Sequence, residues 1–390
     1  MKIAFLTDQY VTDDKNEGGV GNYLAKMGAA LSKHGHHVEV FALVNHPHNT
    51  TIVNGITIHS IKKPDSILFK VLKRLILYLF SQEAYENINT IIYSYILNKA
   101  FEKRDKNIKF DIVQSTNYPQ TGFFVKRKQG RKHYLRLSTS RLLFDKASFK
   151  KIKLSQKITE KIDLHCIRKA DHSYSPSQFL SDYFEKKYAL DISVVRPPAI
   201  LYIDPAKKIP FNLPKRYLVH FGILGFRKGT DLVAEALEKA WKSNPDLKMV
   251  WVGRYSQDIG TPIHEKLEDT KERLIWIDHQ PSSQLYKIVS DSIASVLPSR
   301  ADNLPNTVIE SLLLGVPVIG FSNASIDELV IAGKNGELVP SNDTDALAIA
   351  MIQAWDENKD WLNGNMTHLP VFDEMQAEQA VKNFLELESQ

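Results

Sequence analysis

Asp302 and Glu310 stand eight positions apart in the segment from Ser295 to Phe321, and their neighbours decide what two such acids could do. The apolar run Ile293 to Leu297 predicts a short buried strand. Asn306 to Leu314 predicts a helix, with Pro305 near its first turn, where a missing N–H costs least. Gly315 ends that helix, and Val316 to Gly320 predicts the next strand. Asp302 then sits in the loop leaving a strand's carboxyl end, and Glu310 in the second turn of the following helix. Open α/β sheets bind ligands at that edge. Two carboxylates around exposed helix-start amides, from Asn303 to Asn306, suit a ligand with both hydroxyls and a phosphate. The plainer reading is an acid favouring the helix dipole beside a solvated glutamate.

The segment Leu297 to Pro340 resembles the nucleotide-sugar-binding segment of retaining glycosyltransferases of family 4, which have the GT-B fold. Their order of acid, seven residues, second acid, helix, Gly-x-Pro-Val strand and Asn-Gly turn is met by Asp302, Glu310, Gly315 to Val318 and Asn335-Gly336. Gly18 to Leu24, Tyr174 to Phe184, Val194 to Ile200 and Phe221 to Leu237 match further pieces in order. The resemblance covers nearly the whole chain, apart from Pro64 to Asn107. It implies an α/β protein with two Rossmann-like, doubly wound parallel-sheet domains facing a central cleft. The expected acceptor-side domain is 1–196, completed by a C-terminal helix in 373–390. The expected nucleotide-sugar-binding domain is 197–372, with Pro197-Pro198 as the hinge.

The implied activity is transfer of a sugar, with retention and without metal or cofactor, from a nucleotide-diphosphate donor to a glycan or lipid-linked acceptor. Bacterial surface polysaccharide synthesis is the setting that the family suggests. A sugar-nucleotide epimerase or hydrolase of the same fold, and a non-catalytic binding scaffold, stay open as alternatives. Under the resemblance, Lys228 before Gly229 grips the donor phosphates and steadies the charge that grows on the leaving diphosphate. Taken alone, it also reads as a surface lysine at a helix start. The family's other cation, an Arg, falls at Ile223 here, and Arg227 is the nearest substitute. Asp302 replaces the family's first Glu and would contact sugar hydroxyls, while Glu310 would hold the ribose. Lys228 and Asp302 are thus the expected catalytic pair. Gly19, Arg227, Lys228, Asn303, Leu304, Pro305, Asn306 and Glu310 are the expected donor contacts.

The acceptor side is expected at Gly18, Gln114, Asn117 and Arg136. The family often has a His after its fourth strand; Gln114 to Asn117 offers hydrogen bonds there but no general base at neutral pH. Gly18-Gly19-Val20-Gly21 reads as a loop before a helix over Asn22 to Lys33. Its spacing is wrong for a nicotinamide fingerprint, because no glycine follows Gly21 at the position where a third one would be needed. Asp343-Thr344-Asp345 has the form of a metal motif but opens a helix, where Asp is expected as a cap. The histidines near Gly35 and Pro47 lack ligand partners, so no metal is expected.

A chain of 390 residues exceeds what one core usually supports. One cysteine, Cys166, excludes an internal disulfide and fits a reducing compartment. No apolar run reaches the length of a membrane span, so a cytoplasmic protein is expected. Residues 1–200 hold 32 Lys and Arg against 18 Asp and Glu; the remainder holds 18 against 27. That asymmetry suggests an anionic partner for the first half, a membrane surface or lipid-linked phosphate rather than nucleic acid, or else a solvated basic face. Ile67, Leu68, Val71, Leu72, Leu75 and Leu79 fall on one helical face beside Lys70, Lys73 and Arg74. This is the pattern of an interfacial helix or of a helix packed on the first domain.

Overall fold

The computed structural model describes residues 1–10, 18–65, 82–201, 212–256, 272–356 and 369–387, with scattered positions between them. They form two compact units. One comprises Met1–Leu142, Lys151–Pro198 and Glu374–Gln390; the other comprises Leu143–Lys150 and Ala199–Asp373.

In the first unit β1 (Lys2–Thr7) is followed by α1 (Gly18–Lys33), β2 (His37–Val44), β3 (Asn49–Val53) and β4 (Ile56–Lys62). Next come α2 (Gln82–Ile108), β5 (Ile112–Thr116), β6 (Lys132–Arg136), α3 (Arg141–Ala147), which from Leu143 onward belongs to the second unit, α4 (Leu154–Lys169), β7 (His172–Ser175), α5 (Gln178–Tyr188) and β8 (Ser193–Val194). The strands lie in the order β3-β4-β2-β1-β5-β6-β7-β8, parallel except for β3 against β4. That exception is a hairpin whose turn residues, Asn54 and Gly55, both have positive φ, as the Asn-Gly signal requires. β1 is buried from Ile3 to Thr7 because helices cover both sheet faces. Leu24, Met27 and Leu31 of α1 pack on one face, and Leu97 and Phe101 of α2 on the other. The direction of strand order reverses between β1 and β5.

α1 corrects one expectation. It begins at Gly18, not Asn22, so the glycines form its first turn rather than a loop. Val20, one turn before Leu24, packs against the same core. Its partial burial offsets some of the roughly 1 kcal/mol that each helical glycine costs. Most of the Ile67–Leu79 stripe lies outside the described residues. Among the described residues, no helix is long and apolar enough to cross a membrane.

In the second unit β9 (Leu218–Phe221) leads through a single 3-10 turn, Phe226–Lys228, into α6 (Thr230–Ser243). β10 (Met249–Val252), β11 (Leu274–Ile277), α7 (Ser282–Ser290), β12 (Ser295–Leu297), α8 (Asn306–Leu313), β13 (Val318–Phe321), β14 (Gly336–Val339) and α9 (Thr344–Trp355) follow. The sheet is fully parallel, in the order β11-β10-β9-β12-β13-β14. Its core joins Leu237 and Trp241 of α6 to Leu347 and Met351 of α9 over the strands. Strand order reverses between β9 and β12, so their carboxyl ends open the crevice in which doubly wound sheets take ligands. α10 (Ala377–Leu385) belongs to the first unit, where Phe384 meets Phe5, Tyr134 and Tyr174.

Candidate active site

Two loops meet at the β9/β12 reversal, and one glycine lets them approach. Gly229 has φ +74°, and a Cβ there would lie 2.1 Å from the carbonyl oxygen of Pro298. Only glycine allows both that backbone conformation and that contact. The turn ahead of Gly229 is then stitched to the loop after β12. The Arg300 amide donates to Arg227 O at 2.8 Å, and Arg227 Nη1 donates to Ala301 O at 3.0 Å. Arg300 grips Asp231 with two nitrogens, each at 2.7 Å, and reaches Phe226 O at 2.5 Å. His220 holds the turn from beneath. Its Nδ1 donates to Val296 O at 2.7 Å, and its Nε2 accepts from the Thr230 hydroxyl, which itself accepts from the Gly225 amide. Burial lowers the His220 pKa to about 4, so it stays neutral in this role.

This framework carries Lys228 and Arg227 to Asp302. Lys228 Nζ donates directly to Asp302 Oδ2, and Arg227 Nη1 lies 3.3 Å from Oδ1. Burial works to raise the Asp302 carboxyl, but the charges of Lys228 and Arg227 outweigh it and hold it below the usual carboxylate range. Burial pulls the Lys228 ammonium below its ordinary value, against the attraction of Asp302. The side chains of Lys228 and Asp302 are 14% and 13% exposed, so Lys228 is no surface lysine. A cavity of about 220 Å³ adjoins the two cations, lined also by Ile223, Gly225, Phe144 and Ser148. The Arg227 guanidinium stacks on Phe144, 4.8 Å from its centroid. Ile223, at the family's Arg position, is 60% exposed beside that cavity.

The expected row of exposed amides needs correction. The Asn303 amide donates to Asp302 Oδ1 at 3.0 Å, and the buried Leu304 amide donates to Ser325 Oγ at 2.6 Å. Pro305 caps α8 without an N–H. The amides of Asn306 and Thr307 are left, with no intramolecular acceptor among the described residues. Open amides at a helix start can hold an anion. Leu304 reaches Ser325 only by taking φ +53°, which the sequence does not signal. Glu310 lies one turn further in and accepts from the Tyr286 hydroxyl of α7 at 3.3 Å. Asp343 caps α9 by accepting from the Ala346 amide, and Asp345 pairs with Lys239. Among the described residues, no three His, Cys, Asp or Glu form a metal-binding group.

The remaining candidates lie in the first unit. Gly18 and Gly19 open α1. Asn117 is fully buried and ties two loops, donating to Thr139 O and accepting from the Ser138 amide. Gln114 is buried in β5, where its Oε1 accepts from both the Tyr23 and Tyr174 hydroxyls. Arg136 ends β6 with its guanidinium over the Tyr23 ring. Tyr23, Tyr174, Tyr286, Ser325 and Arg300 were not picked out from the sequence. Their types are common, and only packing gives them their partners.

The two parallel sheets define a protein of GT-B fold. A sucrose-phosphate synthase from Thermosynechococcus elongatus matches with a TM-score of 0.76 at 16% identity, covering 100% of this chain and 98% of that one. Anabaena HepE, solved in complex with UDP, matches with a TM-score of 0.67 at 14% identity over 100% of both chains. Residues 204–363 match the family described as glycosyl transferases group 1, and this segment belongs to that family. A Salmonella typhimurium protein named for colanic acid biosynthesis, the glycosyltransferase WcaL, is 30% identical over 113 residues. Its Escherichia coli counterpart is 28% identical over 131 residues. These alignments take in 27% and 31% of this chain, and span only 27% and 32% of the two relatives.

Proposed function

We propose that this chain moves a sugar, with retention and without a metal, from a nucleotide-diphosphate donor to a glycan or lipid-linked acceptor of bacterial surface polysaccharide synthesis. The observation that carries this reading is the convergence of Arg227 and Lys228 on Asp302 beside the open amides of α8, within the group 1 segment. Breaking the bond to a nucleotide sugar leaves a diphosphate whose negative charge grows through the transition state. Two cations fixed in a partly dry site stabilise that charge without reorganising. Asp302 holds them in place until the donor arrives and is then free to meet hydroxyls of the transferred sugar. Glu310, steadied by Tyr286, is placed for the ribose hydroxyls. The acceptor's proton goes to the leaving phosphate, since Gln114 to Asn117 supplies no base. The colanic acid relatives, and a 28% identical protein from the cps region of Klebsiella pneumoniae, support surface polysaccharide as the product. HepE holds UDP, which makes UDP-sugars the first donors to try.

The test incubates the purified chain with a panel of UDP- and GDP-sugars, with and without a lipid-linked glycan extract. Release of nucleoside diphosphate that depends on the extract, with sugar appearing in it, supports transfer. Release without acceptor points to a hydrolase, and altered sugar without release to an epimerase. Binding with no turnover of any donor points to a scaffold, the reading favoured by Ile223 in place of Arg.

A further inference from the structure

Arg136 is a buried cation with no anionic partner among the described residues. It is 7% exposed; its Nη1 donates to Ser138 Oγ at 3.1 Å, and its Cζ lies 4.2 Å from the centre of the Tyr23 ring. Its Nε has no acceptor, and no carboxylate lies against it among the described residues. The other well-buried arginines of the first unit differ. Arg131 meets Asp105 at 2.7 Å and Glu102 at 3.0 Å, and Arg196 lies 3.6 Å from Glu374. A guanidinium taken out of water costs several kcal/mol unless a negative partner compensates.

Among the described residues, none supplies that charge. Tyr23, whose ring faces Arg136, and its partner Tyr174 are both neutral phenols. Burial pushes the Tyr23 hydroxyl up to about 12 and Tyr174 well above its ordinary value. Both hydroxyl protons are committed within the Tyr23, Tyr174 and Gln114 cluster. The amide nitrogen of Gln114, 1% exposed, and the hydroxyl of Thr139 also lack partners. Two N–H donors without acceptors, of Arg136 and Gln114, thus lie on the neighbouring strands β6 and β5. Its position is the carboxyl end of β6, against the second turn of α1 and next to the β1/β5 reversal of the sheet. That edge is where such sheets bind ligands, and the amino end of α1 adds to the positive potential there.

We propose that Arg136, with the Gln114 amide beside it, receives an acid group on the acceptor, so that the acceptor's reacting end carries a carboxylate or a phosphate. The word acceptor rests on the transferase reading; binding of the acid does not. The guanidinium's remaining N–H groups match an oxyanion in charge and geometry, whereas a neutral sugar leaves its charge uncompensated. The preference for an acidic acceptor then comes from the cost of leaving this arginine unpaired.

The full chain, labelled with ¹⁵N-arginine, reports on this directly. The Arg136 Nε–H resonance is identified by its loss in Arg136→Lys, or in Arg136→Gln should the first variant not fold. The wild-type protein is titrated with glucuronate, glucose 1-phosphate and glucose, with sodium chloride at matched ionic strength as control. The expected result is a saturable shift of that resonance with at least one acid and none with glucose or salt. A response to glucuronate alone names a carboxylate, one to glucose 1-phosphate alone a phosphate, and one to both a site that reads charge. No saturable shift with either acid, or an equal shift with salt or glucose, overturns the proposal. The resonance reports binding at Arg136 without turnover, and the donor panel reports turnover, so either reading can fail while the other stands.

Discussion

Lys228 and Asp302 are bonded to each other across 74 residues of chain, with Arg227 closing on the second carboxylate oxygen. The catalytic and sugar-contacting candidates are therefore one ion cluster, and neither charge can be removed without exposing the other. Taking away the carboxylate leaves two cations close together with only screening to separate them. Asp302→Asn is expected to lower unfolding free energy by about 3 kcal/mol, as for other broken buried pairs. Urea denaturation measures this. Unchanged stability would mean that the cluster is solvated in solution.

Lys228→Ala and Glu310→Gln should separate binding from turnover. On the proposed reading the lysine acts on charge that develops as the bond breaks, so its loss should lower kcat by roughly 100-fold and change donor affinity less. On the proposed reading Glu310 meets the ribose equally in ground and transition states, so its loss should weaken donor binding about tenfold at little cost in kcat. Tyr286→Phe should follow Glu310→Gln with a smaller effect. Steady-state kinetics together with calorimetric donor binding tests all three. Wild-type turnover in Lys228→Ala would remove the lysine from the mechanism.

Gly229 and Gly333 offer a matched pair. Both have φ near +75°, but a Cβ at Gly229 meets Pro298 O at 2.1 Å, while one at Gly333 meets nothing within 4 Å. Gly333→Ala should cost about 1 kcal/mol for the backbone conformation alone. Gly229→Ala adds the clash and should cost on the order of 3 kcal/mol or more, along with donor affinity, because Lys228 and Arg227 move with the turn. Thermal melts compare the two directly. Equal losses would show that the loops part without penalty.

Two buried histidines set an acid limit on stability. Burial lowers the His220 pKa to about 4 and that of His133 to about 3. In the unfolded chain both return to about 6.5. Below that pH the unfolded state binds protons that the folded state does not, so stability falls from about pH 6.5 downward until the folded pKa values are reached. Denaturation free energies at pH 7 and pH 5 should show the decline, and His220→Gln should make it shallower. A flat profile over that interval would mean that neither ring is desolvated as the fold implies.

Much of the framework could be read from local order along the chain. The Asn54-Gly55 turn, the stop at Gly315, the start of α8 after Pro305 and the apolar runs of the parallel strands each depend on a few neighbouring residues. Backbone conformation, turn chemistry and periodicity act at that range, so Asp302 and Glu310 could be placed at a strand-to-helix edge from spacing alone. The start of α1 was missed because glycine reads as loop by propensity, whereas burial of Val20 against a distant core overrides it.

The meeting of side chains was a different matter. Lys228 joins Asp302 only because Gly229 lets two loops touch, and the Leu304 amide is used up because Ser325 lies beneath it. Tyr286 finds Glu310 from another helix, and Arg136 ends in a place without a carboxylate. Sequence by itself determined which residue types stand at the carboxyl edges of the strands, because that follows from interactions a few residues long. Tertiary structure alone decided which of them are paired, buried or left wanting a partner, because those outcomes depend on packing between segments that spacing along the chain does not encode.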